Sequence, residues 1–237
     1  YTITLATPLV IEKGMKIDGV GHHVTLSGNH AHRVFNIKSG PATLDHLTIV
    51  DGKAPQECGP WTEYCGGAIW IENGSNVVVQ NSTLSGSTAT PGGSTGGGAI
   101  YSYQSTLTLK NCTLTGNSAS LGGAVYNSYG NLYVLNSTLS DNSGSNGGAI
   151  YNIGPLVLTN SIVWGNGSSQ ISGYYWSGSS SNYNDVQGGW SGTGNIDADP
   201  QLGSLAGNGG PTQSMALPAD SPAIDAGDPA NCQTLDQ

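Results

Sequence analysis

The sequence predicts an all-β fold, a single right-handed parallel β-helix of about six coils with three short strands in each. Two observations lead to it. The phrase Gly-Gly-Ala-(Ile/Val)-(Trp/Tyr) recurs at Gly66, Gly97, Gly122 and Gly147, with spacings of 31, 25 and 25 residues. A second phrase keeps step with it, starting at Asn81, Asn111, Asn136 and Asn160. A period of this size marks a solenoid, in which each repeat buries its apolar face only by stacking on its neighbours.

The elements follow in order. Residues 1–31 contain the short runs Ile3-Thr-Leu5, Leu9-Val-Ile11, Lys16-Ile-Asp18 and Val24-Thr-Leu26, separated by Pro8, Gly14, Gly19 and Gly21. Runs of three to five residues bounded by turn formers read as strands, and three of them make one triangular coil. Val34 to Ile37, Ala42 to Leu44 and Leu47 to Ile49 supply the next. In the coil from 97 to 121, alternation with period two sends Leu107, Leu109 and Leu114 inward and Thr106, Thr108, Thr113 and Thr115 outward. At about 4.8 Å per coil, such a stack is a rod roughly 30 Å long.

Asn81, Asn111, Asn136 and Asn160 fall in one column at a bend between strands, where asparagine tolerates left-handed backbone and its amide can bond the copies above and below. Three of them begin glycosylation sequons, but Asn160 keeps its place without one, so the turn explains the column. Asn117, Asn142 and Asn166 mark the next corner. The period is interrupted at one corner by insertions at 51–65 and 86–96, and insertions in a solenoid gather on one face, often the one that binds. The coils are expected over residues 1–165, followed at 166–237 by an irregular excursion and capping segment of the same domain that packs along or over the end of the rod.

Composition excludes several classes. Only 9% of the 237 residues are charged while 36% are hydrophobic, with abundant Thr, Val and Ile, which argues against disorder. A net charge of −9 would repel a phosphate backbone, so nucleic acid is not an expected partner. No apolar run is long enough to span a bilayer, and Tyr1-Thr-Ile-Thr-Leu lacks the pattern of a signal peptide. Cys58 and Cys65 flank a short loop as a local disulfide would, favouring an oxidising, extracellular or cell-surface setting. Cys112 replaces a serine of its column and reads as a buried free thiol, while Cys232 has no evident partner.

The combination of the Gly-Gly-Ala-Ile-Tyr-Asn phrases, Asn-Ser-Thr-Leu-Ser-x-Asn, Asn208-Gly-Gly-Pro-Thr-Gln213 and Ser221-Pro-Ala-Ile-Asp-Ala-Gly-Asp228 resembles bacterial right-handed parallel β-helix proteins with a variable C-terminal anchor. These are pectate-lyase-like in fold and share repeats with polymorphic outer-membrane proteins. Pro8 to Gly19 is similar to the family's opening coil, and the likeness covers nearly the whole chain. The resemblance implies export to a surface or matrix and carries no single activity.

Three constellations could carry chemistry. All five histidines lie between His22 and His46, with Arg33 and Asp45 among them, so stacked coils could juxtapose Arg33, Asp45 and His46 as an acid–base group. Their spacing follows no ligand motif, and no metal or cofactor is expected there. Asp197, Asp199, Asp225 and Asp228 are candidate oxygen ligands for calcium, although turn capping is the commoner use of such residues. Trp70, Tyr101, Tyr126 and Tyr151 share one repeat position and, with Trp61 and Tyr64, would form an aromatic platform for sugar rings if they point outward. A pectate-lyase-type mechanism needs carboxylates for calcium and a base. From 66 to 163 the only charged residues are Glu72, Lys110 and Asp141, which disfavours a uronate groove there.

The reading these features favour is a non-catalytic, structural or adhesive β-solenoid at the cell surface, with other copies of itself or surface glycans as partners and end-to-end fibres as an extension. A polysaccharide lyase or hydrolase and a carbohydrate-binding module are the alternatives.

Overall fold

The computed structural model describes residues 1–55, 65–72, 74–89, 96–167, 169–175, 177–228 and 230. Three long parallel sheets wrap one core, as the repeat predicts. The first face holds eight strands: Thr2–Thr4, Val24–Ser27, Leu47–Val50, Thr83–Ser85, Thr113–Thr115, Thr138–Ser140, Ile162–Trp164 and Asp185–Val186. The second runs from Leu9–Ile11 to Ile171–Tyr175 and the third from Met15–Asp18 to Ser180–Asn182, with seven strands each. Among the described residues there is no helix long and apolar enough to cross a membrane.

Register sets the core. Leu26, Ile49, Leu84, Leu114, Leu139, Val163 and Val186 stack as Cα partners on the first face. Phe35, Ile69, Ile100, Val125, Ile150 and Ile171 do so on the second. All are buried, each contributing about 1.5–3 kcal/mol by leaving water. The Gly-Gly phrase has two separate jobs. Its first glycine adopts φ of +73° at Gly97 and +64° at Gly147, a geometry that costs other L residues about 1–2 kcal/mol. Its second lets backbones touch: a Cβ on Gly98 would lie 1.9 Å from the Gly123 oxygen.

Two features differ from the sequence reading. The sheets continue past Gly165 through Ile171–Tyr175, Ser180–Asn182 and Asp185–Val186, which makes a seventh turn without the Gly-Gly-Ala phrase. Thr113 and Thr115, expected to face solvent, are buried. The C-terminal segment lies along the first face as a strap. His23 Nδ1 is 2.9 Å from the Pro211 oxygen, Thr83 Oγ1 donates to the Gln213 oxygen at 2.5 Å, and the Asp228 amide donates to Asn160 Oδ1 at 2.8 Å. These anchors reach from the first turn to the sixth.

Candidate functional site

Four features deserve consideration as sites: the polar corner columns, the aromatic column, a cleft near the last turn, and a titratable cluster in the first two turns.

The column of Asn81, Asn111, Asn136 and Asn160 adopts φ between 48° and 51°, the left-handed geometry expected of it. Asn111 Nδ2 donates to Asn81 Oδ1 at 3.1 Å, and Asn81 Nδ2 to Asp45 Oδ1 at 2.9 Å. The second asparagine column lies inside the rod. Asn117 Nδ2 donates to Asn142 Oδ1, Asn142 Nδ2 to Asn166 Oδ1, Asn166 Nδ2 to Gln170 Oε1 and Gln170 Nε2 to Gln187 Oε1, each at 2.8–2.9 Å. The same Oδ1 atoms accept the backbone N–H of Asn117 and of Asn142. Buried amides are thus satisfied by their own copies, which locks each turn to the next. Cys112 sits in the neighbouring serine column as a free buried thiol, and burial pushes its pKa up to about 12.

The aromatic column does not form an open platform. Tyr101 and Tyr126 are 4% and 3% exposed, and Trp70 and Tyr151 are half-buried. The tyrosines meet edge to face, with centroids 5.2 and 5.1 Å apart, rather than presenting coplanar faces. Gly96 packs against Tyr126 so closely that a Cβ would lie 1.9 Å from the ring. Sequence periodicity places these rings in one column but says nothing of what covers them. Trp61 and Tyr64 lie outside the described residues. So does Cys58; Cys65 is buried and disulfide-bonded.

Arg33 is buried at the corner beside Gly66. It is 3% exposed, its Nε donates to the Gly66 oxygen at 2.8 Å, its Nη1 to Asn36 Oδ1 at 2.7 Å, and its guanidinium lies 5.1 Å from the Trp70 ring centre. Burial draws its pKa down to about 10, with Glu72 opposing. It therefore stands beside the Gly-Gly corner. Asp45 and His46 occupy a different corner, between the third and first faces, so the three candidates do not form one group.

Asp45 and His46 do meet each other. His46 Nδ1 is 2.8 Å from Asp45 Oδ1 and 3.4 Å from Asp18 Oδ1, and Lys16 Nζ is 2.7 Å from Asp18 Oδ2 and 3.1 Å from Asp45 Oδ2. Asp18 and Asp45 are register partners on adjacent third-face strands, which is why they share this corner. Burial opposes the charge on Asp45, but hydrogen bonds from Asn81, Gln80 and Lys16 together outweigh it and hold the carboxyl below its ordinary range. Lys16 and then the Val20 amide lower Asp18 in the same way. The sequence did contain a signal for this cluster: Asp45-His46 stands where the following turns have Gln80-Asn81 and Lys110-Asn111.

The cleft, about 650 Å³, is lined by Leu156, Tyr175, Ser179 to Asn182 and Gly189 to Thr193. Tyr175 and Trp190 meet edge to face at 5.4 Å, and burial raises the Tyr175 hydroxyl to about 12.

Residues 67–188, a little over half of the chain, match the family model for the right-handed beta helix region. No curated protein and no solved structure gives a match.

Proposed function

The chain belongs to the right-handed β-helix family, and we propose that within it the protein is a non-catalytic structural rod of an extracellular or cell-surface setting. The observation that carries this reading is the interior ladder from Asn117 to Gln170, in which the polar groups of the turns bond one turn to the next. Between 66 and 163 only Glu72, Lys110 and Asp141 carry charge, too few to grip an anionic polymer while stabilising a transition state. The disulfide at Cys65 supports an oxidising compartment.

The test of the non-catalytic reading is incubation with uronate and neutral polysaccharides. No unsaturated or reducing ends are expected; product formation that disappears in Asp45→Asn would overturn it. A carbohydrate-binding role is the second reading, favoured by the cleft with Tyr175 and Trp190 beside serines and Asn182, whose volume suits a sugar ligand. A glycan array bound by the wild type and not by Trp190→Ala would establish that reading.

A further inference from the structure

His46 stands at a corner that four later turns fill with asparagine. Its φ of 53° matches the 49°, 51°, 48° and 51° of Asn81, Asn111, Asn136 and Asn160, so the turn itself does not call for an imidazole. The ring is placed where it has company but no hydrogen bond. Its Nδ1 atom is buried and makes none among the described residues, although Asp45 Oδ1 is 2.8 Å away and Asp18 Oδ1 3.4 Å away. The nitrogen and the two carboxylate oxygens thus face one point, where an ion able to take all three as ligands would sit.

The two carboxylates divide their oxygens. Both Oδ2 atoms grip the Lys16 ammonium, while both Oδ1 atoms turn towards His46. One side of the pair is thus already built to hold positive charge. On the other side, one ligand atom from each of Asp18, Asp45 and His46 lies within 4.8 Å of the others. Ligands about 2.1 Å from a common ion are about 3.0–3.4 Å apart in octahedral or tetrahedral geometry, and the two separations from His46 Nδ1, 2.8 and 3.4 Å, lie close to that range. Supporting groups are present as well. Gln80 Nε2 and Asn81 Nδ2 fix Asp45 at 2.7 and 2.9 Å, and the Val20 amide fixes Asp18 Oδ1 at 2.9 Å, as outer partners orient metal-binding carboxylates.

We propose that Asp18, Asp45 and His46 form a binding site for a divalent transition-metal cation of the zinc class. Two carboxylates neutralise the ion, and an imidazole nitrogen favours such a cation over calcium, whose ligands are oxygens. Lys16, its side chain 53% exposed, is the competing cation and can swing into solvent when the metal enters. The site joins the first two turns and so fastens the end of the rod.

Isothermal titration of the chelator-treated protein with zinc chloride tests this. One tight equivalent is expected, with calcium chloride giving no comparable binding. His46→Asn installs the residue of the later turns and so keeps the corner; it should weaken zinc binding at least about ten-fold. Lys16→Met should tighten it, an effect that a purely structural role for the cluster does not produce. Circular dichroism checks that both variants fold, and Asp18→Asn, altering a more exposed ligand, should weaken binding in the same direction. Absence of a tight zinc site overturns the proposal. So does equal affinity in the wild type and His46→Asn, which would assign the metal to His22, His23, His30 or His32.

Discussion

Replacing Asn142 by alanine removes the centre of the interior ladder. The side chain is 1% exposed; its Oδ1 accepts the Asn117 amide at 3.1 Å and Asn117 Nδ2 at 2.9 Å. Its Nδ2 donates to the Leu114 oxygen at 2.9 Å, the Ser140 oxygen at 3.0 Å and Asn166 Oδ1 at 2.9 Å. Alanine fills none of these roles. Asn117 Nδ2 keeps the Leu84 oxygen and Asn166 Oδ1 keeps the Asn142 backbone N–H, which limits the loss. The Asn117 amide is orphaned in the interior, at a cost of about 1–3 kcal/mol, and the Leu114 and Ser140 oxygens each lose one hydrogen bond, at about 0.5–1.5 kcal/mol. The sum is about 2–6 kcal/mol. Asn136→Ala, at the outer column, loses the residue that tolerates φ of 48° and should cost about 1–2 kcal/mol. Urea unfolding of the two variants beside the wild type measures both. Equal midpoints for Asn142→Ala and Asn136→Ala would refute the reasoning, because the interior ladder would then contribute no more than a turn preference.

Tyr126→Ala should destabilise the rod by about 3–5 kcal/mol, since the ring is 3% exposed and packs between Tyr101 and Tyr151, and should leave any glycan binding unchanged. Urea unfolding and a glycan array read the two effects separately. Asp185 gives a pH dependence: it is 3% exposed, and burial, with Asp197 and Asp199 adding to it against the Ala198 amide, raises its carboxyl to about 6. The native state therefore holds this proton to higher pH than the unfolded chain, so its contribution to stability falls as pH rises from about 4 to about 6. The fall is at most about 3 kcal/mol, less where water screens the carboxyl, and Asp185→Asn should remove it from a series of unfolding curves across that range.

The periodic parts of the structure were legible in the sequence because a solenoid writes its contacts into its spacing. Leu107, Leu109 and Leu114 are buried where alternation puts them, and the asparagine column takes the left-handed corner that its side chains suit. What the spacing does not encode is contact between distant, non-repeating segments. Thr113 and Thr115 alternate as surface residues do, yet they are buried on the face where the C-terminal segment binds through Thr212 and Gln213. The seventh turn was hidden for a related reason: Ile171 and Val186 continue the inner columns while the Gly-Gly-Ala phrase that flags a turn is gone. Among the titratable residues, the pairing of Asp45 with His46 follows from adjacency, but their meeting with Lys16 and Asp18 depends on register between the first two third-face strands. Arg33, grouped with them by proximity in sequence, faces another corner and serves the Trp70 and Gly66 packing.

Incubation of the purified protein with uronate and neutral polysaccharides, the wild type beside Asp45→Asn and Trp190→Ala, tests the structural-rod account most directly. The account predicts no unsaturated or reducing ends from any of the three proteins. Product that forms with the wild type and disappears in either variant would contradict it.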